Sequence, residues 1–280
     1  MTILLLGGTG KTARRIAPRL RAAGAQVRTA ARHNADVHFD WDDPSTHDAA
    51  LDGVDAVYLV APSLRLDHGP LVSAFLDRAQ AAGVAHVTQL SARGVEEAPP
   101  EAGHRAVELD LLSRTGLSAA ILRPGWFMQD FDEYIFQPAI AAEGRIVAPA
   151  GDGAEPFIHA DDIADVAAVT LLERRAGEFM LSGPEPLTFT EVAQRISVAA
   201  GRVVTYVDPG PEAWVQALAK QIPRAYAEML AYVFSKLREG AWAQVTGDVE
   251  AVTGHPPRTF DDYLADPKVV AAWKAPVLAT

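Results

Sequence analysis

The 280-residue sequence contains no cysteine. A disulfide framework and a thiolate metal site are both excluded, and no metal site is expected. Bases are in short supply: 25 Lys and Arg stand against 36 Asp and Glu, for a formal net charge of −11. Phosphate neutralisation along a nucleic acid needs the opposite balance, so nucleic-acid binding is not expected. No stretch reaches the ~18 consecutive apolar residues of a membrane-spanning helix, so no membrane partner is expected either. The opening apolar run is short and lacks a basic lead-in, which reads as a strand rather than a secretion signal. These absences together predict a cytoplasmic protein. Repeats and low-complexity segments are missing too. With 49% hydrophobic residues, the chain can bury a sizeable core in one or two domains.

What is present is concentrated at the start. The run Ile3-Leu4-Leu5-Leu6 predicts a buried parallel strand, and Lys11 to Ala23 predicts a helix. Between them lies Gly7-Gly8-Thr9-Gly10. Strand, glycine turn and helix form the first unit of a dinucleotide-binding fold. Glycines let the backbone turn tightly and approach a pyrophosphate, and the helix directs its free N–H groups at the phosphates. Gly7, Gly10 and Ala13 fall at i, i+3 and i+6, the looser spacing of short-chain dehydrogenases. A tight loop without a ligand is the bland alternative. A phosphate loop of the G-x-x-x-x-G-K-[ST] type would need glycine at position 5, which is Leu5. The predicted cofactor contacts here are Gly7, Thr9, Gly10, Lys11 and Thr12.

Gln26 to Ala31 predicts the second strand. An NAD-binding unit usually ends this strand with an acid for the ribose hydroxyls. Here it ends Ala30-Ala31-Arg32 with Arg28 inside it, a composition that favours the 2′-phosphate of NADP(H). Arg32 is the leading contact and Arg28 the second, unless both are ordinary solvated charges. Val37 to Phe39 predicts a short third strand. Asp40 or Trp41 after it would lie beside the adenine, unless the turn merely caps the next helix. Strands over 55–61 and 85–90 follow, with a helix over 66–82 between them. Ala61, Pro62 and Ser91 stand at their carboxyl ends, where open α/β sheets bind ligands. A helix over 101–114 and a strand over 118–122 complete an alternating pattern. It predicts an α/β fold, a doubly wound parallel sheet of the NAD(P)-binding Rossmann type.

The segment after Arg123-Pro124-Gly125 is rich in aromatics: Trp126, Phe127, Phe131, Tyr134 and Phe136. They line an apolar pocket or pack a helix. A helix from about 160, a strand over 178–182 and a helix over 188–200 return the chain to the sheet. From Gly201 helical stretches carry Tyr226 and Tyr232. The expected division is a dinucleotide-binding core over 1–125, a pocket segment with its return over 126–200, and a mainly helical substrate-covering subdomain over 201–280.

Three stretches together resemble the NmrA-like, atypical short-chain dehydrogenases. They are Gly7-Gly8-Thr9-Gly10-Lys11-Thr12-Ala13, Ser113-Arg114-Thr115-Gly116-Leu117 with Leu122-Arg123-Pro124-Gly125, and Asp161-Asp162-Ile163-Ala164. Within that family the Gly-Lys-Thr-Ala turn, Phe39-Asp40-Trp41 and Arg123 to Met128 are most similar to the ergot alkaloid reductases. That resemblance covers most of residues 1–200. It implies an NADPH-dependent reductase of iminium carbons with a place in secondary metabolism. A non-catalytic NADP(H) sensor and an epimerase on the same fold are the alternatives.

Typical short-chain dehydrogenases use a Tyr-x-x-x-Lys pair on the helix after strand five. Here that helix carries His104 and Glu108, and no tyrosine occurs between Tyr58 and Tyr134. His104 falls roughly where the family lysine lies, to steady the ribose or donate a proton; a surface histidine is the other reading. The Tyr232–Lys236 spacing is far along the chain from the turn. A carbonyl becomes an alkoxide on reduction and needs a proton, whereas an iminium carbon does not. The missing pair therefore fits imine or quinone reduction better than ketone reduction. Ser91 and His104 are the catalytic candidates. The substrate, a small molecule, is expected beside Ser91, Trp126, Phe127 and Tyr134, under cover from Tyr226 and Tyr232. Monomer and homodimer both remain open.

Overall fold

The computed structural model describes residues 1–274. In chain order the regular elements begin with β1 (Thr2–Leu6), α1 (Ala13–Ala22), β2 (Gln26–Ala31), β3 (Val37–His38), α2 (His47–Leu51), β4 (Ala56–Val60), α3 (Gly69–Ala81), β5 (His86–Leu90), α4 (Gly103–Ser113) and β6 (Ser118–Pro124). They continue with α5 (Gln137–Glu143), β7 (Arg145–Val147), β8 (Ala154–Glu155), α6 (Ala160–Glu173), β9 (Gly177–Leu181), β10 (Leu187–Thr188), α7 (Phe189–Ala200), β11 (Thr205–Val207), α8 (Pro211–Leu218), α9 (Arg224–Arg238), α10 (Asp248–Thr253), α11 (Phe260–Leu264) and α12 (Pro267–Ala272).

The chain forms two compact units. The first comprises Met1–Pro124, Ala160–Leu181 and Asp248–His255. Its seven strands lie in the order β3-β2-β1-β4-β5-β6-β9, all parallel. Ile3, Leu4, Leu5 and Leu6 are all fully buried, as expected of a central strand covered on both faces. The strand order reverses between β1 and β4, and at such a switch point the crevice opens at the carboxyl ends. One face carries α1 and α6, joined by Arg19 to Asp161 at 2.9 Å and to Asp165 at 2.5 Å. The other carries α3 and α4 over Val57, Leu59, Val87 and Ile121. The doubly wound parallel sheet predicted from the alternating pattern is therefore present.

Helix α10 belongs to this unit although it comes from the far end of the chain. Val249 and Val252 are buried, and Asp248 Oδ2 accepts the Met180 N–H of edge strand β9 at 2.7 Å.

The second unit comprises Gly125–His159, Ser182–Gly247 and the chain from Pro256 onward. Its core is aromatic. Phe131 stacks on Phe136 at 5.0 Å, and Phe157, Phe189, Phe234 and Phe260 are all buried around them. Trp273 donates its indole N–H to Phe131 O at 2.7 Å, and Tyr263 donates to Asp132 at 2.8 Å. The expected division at residues 125 and 200 is redrawn by this core. Rings from the 126–136 segment, α7, α9 and α11 share one apolar interior that runs across the expected boundary at 200. Residues 275–280 of the expected third segment lie outside the described residues. Among the described residues no helix is long and apolar enough to cross a membrane.

Candidate active site

The glycine turn between β1 and α1 is built as its composition requires. Gly7 takes a φ of +64°, a conformation that costs a non-glycine residue strain. Gly10 N–H closes the turn onto Gly7 O at 2.7 Å, and a Cβ on Gly10 would sit 3.0 Å from that oxygen. Gly8, which the spacing rule passed over, is held hardest. A Cβ there would stand 2.6 Å from Thr29 Cβ and 3.1 Å from Ala30 N. Gly7, Thr9 and Gly10 are exposed, Lys11 is half-buried and Thr12 is buried. Thr12 makes no side-chain cap, and the first turn of α1 carries no acid. Exposed backbone at the N-terminus of a ten-residue helix whose own first turn carries no acid fits a pyrophosphate.

At the end of β2, Arg32 is exposed and makes no ion pair with another described residue. The loop that carries it is clipped back to the strand: Thr29 donates N–H and Oγ to Asp36 Oδ2, both at 2.8 Å. Those two bonds, with the Arg21 charge, hold the Asp36 carboxyl below its ordinary range against a small opposing effect of burial. The Arg28 guanidinium donates to Ala50 O at 2.9 Å and Asp52 O at 2.6 Å. It thus satisfies carbonyls at the end of α2, where a helix leaves acceptors unpaired. Both bonds use Nη1, so part of the Arg28 guanidinium is committed to the protein.

Asp40 and Trp41 form the turn after β3. Asp40 O accepts from His47 Nε2 at 3.0 Å, and its carboxylate takes the Asp42 N–H. Trp41 packs edge-on to Phe39 at 5.1 Å and Phe75 at 5.3 Å. The bland reading of this turn explains both residues as supports of α2 and α3. Ala61 is buried and Pro62 half-buried at the end of β4.

The carboxyl end of β5 holds a buried polar cluster. Ser91 Oγ lies 2.6 Å from Glu108 Oε1. Arg123 grips the same carboxylate with Nε at 2.9 Å from Oε1 and Nη2 at 2.7 Å from Oε2. Arg105 adds 2.9 Å to Oε2, and Glu178 of β9 meets Arg123 Nη2 at 2.6 Å. Burial pushes the Glu108 carboxyl up, but the hydrogen bonds from Arg123 and Ser91 outweigh it, and the group sits below its ordinary range. Sequence reading noticed Glu108 but gave it no role. A lone Glu at i+4 from a histidine carries no signal until the Arg123 side chain is placed.

His104 lies one helical turn before Glu108 and is half-buried, beside the buried Val107 and Leu111. Its Nδ1 is buried without a partner. Its ring stands edge-on to His68 at 4.8 Å, and His68 Nδ1 donates to Arg65 O at 2.8 Å. Burial first, and the His68 charge second, lower the His104 imidazole to about 4 against the pull of Glu108. It is neutral at pH 7.

The expected substrate residues fall in the second unit. Trp126 is half-buried and stacks on Phe234 at 4.7 Å; Phe127 is half-buried and pairs with Ile158. Tyr134 is exposed, and burial with the nearby Tyr134 ring raises the Tyr226 phenol. Tyr232 is 61% exposed, off the buried stripe of Ala227, Ala231, Phe234 and Leu237. Its ring faces the Lys236 ammonium at 5.8 Å, and that ammonium pairs with Glu239 at 2.8 Å. The Tyr232–Lys236 spacing is a surface contact of α9.

A parallel sheet with this strand order, a glycine turn at its switch point and a polar cluster at the carboxyl end of β5 define a dinucleotide-dependent enzyme. The model of the NAD(P)H-binding family matches residues 7–174, and the chain belongs to that family. It is 37% identical over 274 residues to an uncharacterized oxidoreductase of Bacillus subtilis, covering 94% of each chain. It is 36% identical over 287 residues to agroclavine dehydrogenase of Claviceps fusiformis, covering 96% of this chain and 98% of the other. A solved NADPH-dependent quinone oxidoreductase from Escherichia coli superposes with a TM-score of 0.77 at 23% identity, covering 94% and 98%. The likeness to the ergot alkaloid reductases therefore runs the length of the chain and is not confined to residues 1–200. The protein is an NAD(P)H-dependent oxidoreductase.

Proposed function

We propose that this oxidoreductase uses NADPH to reduce a small cyclic imine, iminium or quinone. One observation carries the reading. The carboxyl end of β5 offers no ready acid: Ser91 is bonded to a carboxylate, and His104 is a neutral imidazole. Bound NADPH would supply the hydride, held by the glycine turn at its pyrophosphate and by Arg32 at its 2′-phosphate. The chain's own part is to fix the acceptor and keep water away from it. An iminium carbon takes a hydride and leaves a neutral amine, so the residues present suffice; a ketone would leave an alkoxide that they do not protonate. Agroclavine dehydrogenase as a relative supports the reading, and so does the quinone oxidoreductase as a fold neighbour.

The test is a panel of cyclic imines, quinones and ketones incubated with protein and NADPH while cofactor absorbance is followed. Imines or quinones should consume NADPH and ketones should not. Ketone reduction at comparable rates rejects the reading. Turnover without NADPH loss would indicate an epimerase; NADPH occupancy that alters only binding of a protein partner would indicate a sensor. Calorimetry with NADPH and NADH, on wild type and Arg32→Ala, tests the cofactor preference. Loss of a charge-assisted contact of about 1.5–3 kcal/mol should reduce NADPH affinity at least tenfold and leave NADH unchanged. Equal wild-type affinities reject the preference.

A further inference from the structure

Glu108 settles where the Ser91 proton lies. The carboxylate is fully buried and accepts four hydrogen bonds: two from Arg123, one from Arg105 and one from Ser91. A carboxylate has about four acceptor positions, and a guanidinium can only donate. Two guanidinium groups on one carboxylate keep it ionised, so it has no proton to give. The hydroxyl must therefore be the donor across the 2.6 Å contact with Glu108. A serine has one proton. Once it points at Glu108, only lone pairs remain for anything else that approaches Ser91.

The polarity is held in place by three strands. Ser91 N–H donates to Leu122 O at 2.8 Å, which fixes the end of β5 against β6. Arg123, the next residue on β6, holds Glu108, and Glu178 of β9 holds Arg123 from the other side. Rotating the hydroxyl away from Glu108 would leave a buried carboxylate one donor short, which disfavours the rotation.

We propose that Ser91 is a specificity residue that faces its ligand as a hydrogen-bond acceptor, so that it favours a nitrogen bearing N–H over a carbonyl or quinone oxygen. The assignment rests on the reductase reading above and narrows it. A serine that serves carbonyl reduction donates to the oxygen on which charge develops. Here the same hydroxyl sets a lone pair against the oxygen. A protonated C=N, or the ammonium product, offers the N–H that Ser91 accepts. An N-alkylated iminium keeps the charge but has no N–H to offer, so charge and hydrogen bond can be separated by experiment.

The experiment measures equilibrium binding to the NADP⁺-loaded protein by calorimetry. The probes are tetrahydroisoquinolinium, which donates N–H, its N,N-dimethyl analogue, which carries charge without N–H, and tetralone, which carries a carbonyl. Wild type should bind the first roughly tenfold more tightly than the second, the scale of one charge-assisted hydrogen bond. Ser91→Ala should bring that ratio to within about twofold, and Ser91→Thr, which keeps the hydroxyl, should preserve it. An unchanged ratio in Ser91→Ala overturns the inference, as does a wild type that prefers tetralone or binds none of the three. The NADPH-consumption panel reports separately on the reductase reading. Selective N–H binding without NADPH consumption would reject that reading and leave the acceptor role standing.

Discussion

Gly103 lies directly against His68: a Cβ on Gly103 would stand 2.6 Å from His68 Cε1 and 2.4 Å from Leu66 O. The start of α4 and the loop after β4 are therefore in contact with no room for a methyl group. Gly103→Ala must push the loop outward or tilt the helix that carries His104 and Glu108. Overpacking of this kind costs about 1–3 kcal/mol. Chemical denaturation should show that loss for Gly103→Ala and almost none for Gly247→Ala, where nothing lies within 4 Å of the added carbon. Equal midpoints for the two variants would mean that the loop gives way freely.

Arg123 fills two positions on Glu108 at once, and the pair is buried. Removing Arg123 leaves the buried Glu108 carboxylate with only Arg105 and Ser91 as donors, a loss approaching the roughly 3–5 kcal/mol of a broken buried pair. Arg123→Ala should be destabilised on that scale. Arg123→Lys should recover part of it, since an ammonium keeps the charge and loses the fork. A lysine variant as stable as wild type would show that charge alone matters.

Two histidines set the acid side of stability. Burial lowers both His86 and His104 to about 4, with the Arg174 charge also acting on His86. Their unfolded value is near 6.5. As pH falls through the window from ~6.5 to ~4, the unfolded chain takes up protons that the folded chain refuses. Folding stability should therefore fall across that window, by on the order of 2 kcal/mol per histidine at pH 5. His86→Asn should flatten the slope in urea titrations at a series of pH values. A slope unchanged by the substitution would place the proton uptake elsewhere.

Gln89 lies two residues before Ser91 on β5, fully buried, and neither atom of its amide has a partner in the protein. An unsatisfied buried polar group costs about 1–3 kcal/mol. Gln89→Met, close in volume, should raise the melting temperature. A lower one would show that a buried water holds the amide.

The first unit was legible because its signals are local. An apolar run, three glycines and a helix start lie within thirteen residues, and β2 ends in its predicted position. The backbone partners of Arg28 were not legible because they are carbonyls at the end of α2, a five-residue helix with no periodic signature. Gly8 and Gly103 were passed over for a related reason. What each must avoid, Thr29 in one case and His68 in the other, is distant in sequence or set by a loop. The second unit was drawn too small. Aromatic residues spread from 126 to 273 carry no spacing that announces a shared interior. The exposure of Tyr232 was not legible because sequence spacing does not say which side of α9 meets the core.

The route of α10 bears on how the protein can be made. The exposed edge of β9 is sealed by a segment that begins at Asp248, whose carboxylate takes the Met180 N–H. A ribosome delivers that segment only after the whole intervening stretch has emerged. Until then a parallel sheet waits with an open edge, the feature through which nascent chains pair with one another. Cutting the gene after β9 to obtain a minimal cofactor module would make the waiting state permanent. A shortened version would do better to carry residues 248–255 spliced close behind Leu181.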